Sequence, residues 1–227
     1  MMGGSFLLFA VHFAIEPANS RKGNWVGSLK SVAPTIKKER NPDNKSEHHL
    51  YTVSRLQWKA RPPLFSMKRH KIRLITIHHT ATRMRKKISL ERKMRSLQAF
   101  SQQRQKLASG KMKKVWADVP YHYYIDWKGD IAEGRSPQFA GDTNTNYDPT
   151  GHLLIVVEGN FEEEEPTKAE ITSLVKLLMA ASRMWNVAST SIKSHREVAH
   201  TLCPGRNLQR EMPRIRRRVM EMLKHNK

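Results

Sequence analysis

The chain has 227 residues, a hydrophobic fraction of 38% and a formal net charge of +21. That length fits one ordinary domain with flanking segments, and the low apolar fraction implies that part of the chain lies outside a packed core. Its single cysteine, Cys203, excludes an intramolecular disulfide framework.

The charge is unevenly placed. Residues 1–114 hold 26 Lys and Arg against 5 Asp and Glu, whereas residues 115–227 hold 15 of each. A block this basic suits a polyanion (nucleic acid, anionic lipid or an anionic cell-wall polymer) or forms a solvated tail. It carries no interleaved aromatic motif or nucleic-acid signature, so nucleic acid is not the expected partner.

The run Phe6 to Ile15 is apolar except for His12. It is too short to span a membrane. Its length is that of a secretory h-region, and small residues follow at Ala18 to Ser20, but no Lys or Arg precedes it. Residues 1–20 therefore read as a signal peptide or as an apolar terminal segment. Residues 21–68 read as a basic, largely disordered tail, in which His49 to Trp58 is a candidate docking helix. The domain is expected to fill residues 69–227.

Within it, "KIRLITIHHT" reads as a buried strand ending at His78 and His79. From Ser89, apolar positions Leu90, Met94, Leu97, Phe100 and Leu107 predict a helix with a basic outer face. "DVPYHYYIDWKGDIAEGR" reads as two strands turning at Lys128-Gly129-Asp130. After a loop, the near-continuous apolar run "HLLIVVEGNF" predicts a central strand covered on both faces. Thr167 and Glu170 form a capping-box pattern that opens a helix bearing Ile171, Leu174, Val175, Leu178, Ala181 and Trp185. Glu162 to Glu165 precede that helix and read as its solvated, dipole-favoured entrance rather than as a metal site. A last amphipathic helix is expected over Leu208 to Leu223. Alternating strands and helices predict an α/β fold with a mixed central β-sheet flanked by α-helices.

His78 closes a strand, and His195 and Cys203 flank a short loop near the C-terminus. Imidazole nitrogen and thiolate sulfur are preferred zinc ligands, and a catalytic zinc takes three of them plus water. The His-x7-Cys spacing carries little alone, because a lone cysteine is commonly a small core hydrophobe.

"LITIHHTAT", "DVPYHYYIDWKGDIAEGR", the strand into "EGNF", a capped helix and "SHREVAHTLCPG" follow in that order. This succession, over residues 70–222, resembles the zinc N-acetylmuramoyl-L-alanine amidases, the family of phage lysozyme-type amidases and peptidoglycan recognition proteins. The resemblance implies Zn²⁺ on His78, His195 and Cys203, with His79 left unassigned. It implies a catalytic tyrosine at Tyr121 and, as a weaker donor to the same oxyanion, a catalytic Thr201, which stands where relatives carry lysine or threonine. The activity implied is hydrolysis of the amide between the lactyl group of N-acetylmuramic acid and L-alanine. The partners implied are peptidoglycan or muropeptides, met by a secreted or periplasmic monomer. A non-catalytic peptidoglycan-binding module and a polyanion-binding protein acting through its basic half are the alternatives.

Other side chains have quieter readings. His122 faces away from Tyr121 along its strand and reads as packing. Glu197, the carboxylate nearest the ligands in sequence, is a candidate general acid for the leaving amine but reads rather as a salt-bridge partner or ligand orienter. His200 reads as exposed. Arg135 reads as a hairpin-edge residue or a contact for stem-peptide carboxylates, and Trp116 as core or sugar-groove lining. The loop 139–152 departs from the family: Asp142, Thr143 and Asn144 stand where many relatives have a His-Ala element, which leaves stem-peptide preference open.

Overall fold

A computed structural model of the protein describes residues 50–225, except 107–109 and 111. A five-stranded mixed sheet organises them, built from β1 (Leu74–His79), β4 (Tyr123–Ile125), β5 (Ile131–Glu133), β6 (His152–Val157) and β7 (Ile192–Ser194). The order is β5-β4-β6-β1-β7, with only β5 antiparallel to its neighbour. The hairpin between β4 and β5 turns at Gly129, as the turn signal predicts.

β6 is buried at every position and sits at the centre, as its unbroken apolar run requires. The period of two then divides the faces of β1. Ile75 and Ile77 join Leu153, Ile155 and Val157 in the main core. Thr76 and His78 lie on the opposite face, with His78 in register with Val156.

The core face is covered by α2 (Lys168–Met184) and α3 (Arg206–Lys224), which contribute Leu174, Leu178, Leu208, Met212, Ile215 and Val219. The capping box of α2 is formed on both sides by Thr167 and Glu170. No helix among the described residues is long and apolar enough to cross a membrane.

Four expectations are corrected. α1 (Leu90–Ser101) ends before Leu107, and a small hairpin of β2 (Gln105–Lys106) and β3 (Met112–Lys113) follows. Residues 50–68 are packed rather than disordered, so the fold begins before the boundary expected at 69. Val53 bridges Ala132, the fully buried Trp58 donates to the Glu133 carbonyl at 2.7 Å, and Arg55 pairs with Asp118 at 2.8 Å. The stretch 55–59 is a turn and not a helix. The acids Glu162 to Glu165 do not stand at the α2 entrance as unpaired solvated charges: Glu162 pairs with Arg196, Glu163 with Arg83 and Glu165 with Arg210.

The basic charge also moves. Residues 1–49 carry 7 Lys and Arg against 4 Asp and Glu, and residues 50–114 carry 19 against 1. The excess therefore belongs to the folded segment, of which Lys111 is the one basic residue outside those described. The leader reading of residues 1–20 and the tail reading of 21–49 fall outside the described residues.

One residue of the expected basic face of α1 is turned inward. Lys93 is fully buried and donates to Glu158 at 2.7 Å, with Asp126 at 3.5 Å. Glu158 also accepts from the backbone N–H groups of Arg85 and Trp127. This cluster ties α1 and the 80–88 loop to the ends of β4 and β6. Lys93→Met leaves the buried Asp126 without its cation and Glu158 with only Arg85 at 3.9 Å, so it is expected to destabilise the fold by about 3–5 kcal/mol. Equilibrium unfolding in denaturant measures this, and a loss below ~1 kcal/mol would show the cluster to be solvated.

Candidate metal centre

The sheet and the C-terminal loop assemble the three expected ligands. His78 is fixed by the β1 register. His195 opens a single 3-10 turn, His195–Glu197, which starts directly after β7. Glu197 reaches back over that turn to accept from the Ser194 N–H at 2.6 Å. Arg216 of α3 holds the same carboxylate.

Cys203 follows on a loop stapled at several points. Arg196 donates to the Leu202 carbonyl and pairs with Glu162. The Arg206 N–H donates to Glu162 at 2.9 Å. Gly205, at φ 87°, lies so close to the 161–162 backbone that a Cβ would meet Phe161 C at 2.4 Å. Only glycine permits that approach together with that φ.

The ligand atoms of His78, His195 and Cys203 lie within 4.8 Å of one another. Cys203 Sγ is 3.8 Å from His78 Nδ1, and the imidazole centroids are 4.3 Å apart. Tetrahedral zinc, with bonds of ~2.3 Å to sulfur and ~2.0 Å to nitrogen, spaces such a pair at about 3.6 Å. His195 Nδ1 is buried without a hydrogen-bond partner. Buried polar atoms are normally paired, so a bare nitrogen that converges with a thiol and with the sulfur-facing Nδ1 of His78 fits a metal.

The electrostatics agree with that fit. Burial, then the neighbouring His195, holds His78 well below the usual imidazole range. Burial, then His152, lowers His195 to about 4. Both rings are neutral at pH 7 and present lone pairs. Burial pushes the Cys203 thiol up to about 12, partly offset by the His79 N–H, which donates to Sγ at 3.3 Å, and by Arg196. A cation at the sulfur would favour the thiolate over this protonated state.

The sequence pattern of the N-acetylmuramoyl-L-alanine amidase family matches residues 68–206, which include all three of these residues. The chain belongs to this family. Peptidoglycan-recognition protein SD of Drosophila simulans is 32% identical over 164 residues, covering 69% of this chain and 81% of that protein. The solved structure of peptidoglycan recognition protein LE in complex with tracheal cytotoxin superposes with a TM-score of 0.60 at 25% identity, covering 71% of this chain and 92% of that one. The endolysin amidase LysCS of Clostridium intestinale shares the fold, with a TM-score of 0.56 at 24% identity over 71% of this chain and 92% of its own.

The remaining site candidates of this family member separate into two groups. Tyr121 stands beside the ligands, its ring 5.2 Å from that of His78. Thr201 Oγ1 accepts from the Cys203 N–H at 3.2 Å, so it shapes the cysteine turn while its own proton stays free. Glu197 is spent on Ser194 and Arg216 and does not face the ligands with a free carboxylate. His79 reaches the site through its backbone N–H, and its ring accepts from the Phe161 N–H.

His122 is buried, accepts from the Leu154 N–H at 2.8 Å and donates to the Phe139 carbonyl at 2.9 Å. Arg135 is buried and bonds the carbonyls of Asp118, Val119 and Ala140 as well as Asp142, so it anchors the loop and is unavailable to a stem peptide. Trp116 is buried under Lys113, whose ammonium lies 4.4 Å from its ring centroid. His200 is exposed.

Sequence reasoning missed three residues. Thr145 Oγ1 lies 2.7 Å from His195 Nε2. The Tyr147 ring packs 5.3 Å from His195 and 5.2 Å from His152. His152 Nδ1 is 2.8 Å from the Thr76 hydroxyl. The unfamiliar loop "DTNTNY" is thus one wall of the centre, and no periodicity could have placed it there.

Proposed function

We propose that the protein is a zinc-dependent amidase that cleaves the bond between the lactyl group of N-acetylmuramic acid and L-alanine, in peptidoglycan or released muropeptides. The observation that carries this reading is the convergence of His78, His195 and Cys203, both imidazoles buried, with His195 Nδ1 left unpartnered. When bound, zinc would supply a Lewis acid and lower the pKa of a coordinated water. The chain's own groups do the rest. His78, His195 and Cys203 hold the ion, and the Tyr121 hydroxyl donates to the developing oxyanion. Thr201 braces the cysteine turn and offers a second hydroxyl proton.

The muropeptide in the complex of recognition protein LE supports a monomeric stem-peptide ligand for this chain as well. Such a substrate suits a protein that works in the cell envelope or outside the cell. The excess of Lys and Arg over residues 50–114 would hold an anionic envelope polymer. The names of the recognition-protein relatives favour a second reading, a module that binds peptidoglycan without cleaving it.

One experiment separates the readings. Zinc-loaded protein incubated with insoluble peptidoglycan is expected to release new L-alanine amino termini. Chelation should stop the release and added zinc should restore it, while retention on the wall weakens as salt rises. Retention without release would establish the binding module and remove the enzyme.

A further inference from the structure

The loop over residues 143–147 meets His195 through one hydroxyl, and the bonding there has a direction. Thr145 Oγ1 lies 2.7 Å from His195 Nε2 and 2.8 Å from Thr143 Oγ1. Thr143 Oγ1 also accepts from the Thr145 N–H at 3.1 Å. A threonine hydroxyl has one proton to give and two lone pairs.

If Thr145 gave that proton to His195, the neutral ring would carry its own proton on Nδ1. That nitrogen is buried and has no partner, so the donor would be stranded. If Thr145 gives its proton to Thr143, it accepts from His195 Nε2–H, and the bare Nδ1 becomes a lone pair. Both contacts of the Thr145 hydroxyl then pair a donor with an acceptor, and the ring nitrogen left bare is the one suited to a metal.

We propose that Thr145 is a positioning residue: it accepts from His195 Nε2–H, holds the imidazole in the tautomer whose Nδ1 is free, and makes the 143–147 loop part of the metal centre. Tyr147 supports the same ring from its side, 5.3 Å away between centroids. This inference rests on the zinc reading above. It also extends it, because it assigns a role to the loop that connects β5 to β6.

The test uses two readouts on the full chain. Nitrogen-15 correlation spectra of the metal-free protein report the His195 tautomer. Titration with Co²⁺, followed by its ligand-field and thiolate charge-transfer absorption, reports affinity. Wild type is expected to show the Nε2–H tautomer. Thr145→Val, which keeps the shape and removes the hydroxyl, should mix the tautomers and weaken Co²⁺ binding by about 10–100-fold. Thr145→Ser should restore both. An Nδ1–H tautomer in wild type, or equal affinity in wild type and Thr145→Val, would overturn the proposal. Failure of wild type to take up Co²⁺ or Zn²⁺ at all would instead overturn the zinc reading, and the tautomer would still be read independently.

Discussion

Cys203→Ser is expected to lose stoichiometric zinc and, with it, more than about 100-fold of any amidase rate, since even residues behind a ligand commonly change affinity or activity by 10–100-fold. The change is small in volume but large in chemistry. A serine hydroxyl stays protonated at neutral pH and offers zinc no anion, whereas a thiol yields its proton to the metal. The fold should survive. Cys203 lies outside the main hydrophobic cluster, and its loop is held by Arg196, Glu162, Gly205 and Asn207. The serine oxygen can still accept from the His79 N–H that now meets Sγ. Zinc content of the purified variant, its unfolding midpoint and its turnover of a defined muropeptide check the three parts. A variant that kept zinc and rate would show Cys203 to be the small buried hydrophobe that lone cysteines commonly are.

What the sequence makes legible here follows from range. β1 and β6 are readable because their runs of β-branched and apolar residues are local consequences of burial inside the sheet. The box of Thr167 and Glu170 is readable because both halves of a cap lie within four residues. The metal ligands are readable only through resemblance. Nothing local says that His78 meets Cys203 across 125 positions.

The features that escape are those in which long-range partners overrule local pattern. Lys93 belongs to a basic surface stripe by sequence, yet Glu158 and Asp126 draw it inward. Trp58 sits in a polar, Pro-rich stretch, yet it closes over the β5 edge with an indole hydrogen bond. Glu162 looks like a helix-entry acid, yet Arg196 and the Arg206 amide recruit it to the cysteine loop. Charged and polar groups of this kind are assigned by their partners. A one-dimensional pattern shows those partners only when they lie within a turn or two.

Tyr121→Phe is expected to lower kcat by about 10²–10³-fold while leaving zinc content unchanged and KM within a few-fold, the signature of a donor used in the transition state. The ring keeps its place against His78, because the contact at 5.2 Å belongs to the aromatic carbons and not to the hydroxyl. Burial, then the nearby Cys203 and Tyr147, drives the Tyr121 pKa well above the ordinary phenol value of 10. The sign matters: a raised phenol pKa keeps the proton on oxygen throughout the working pH range, so Tyr121 acts as a donor and not as a base. The rate should accordingly show no alkaline limb from Tyr121 below pH 10. Steady-state kinetics and metal analysis on one preparation measure both parts. If Tyr121→Phe keeps its rate within threefold, the donor is another hydroxyl. Thr201 is then the group to replace, because its oxygen already accepts from the Cys203 amide and its proton remains free to give.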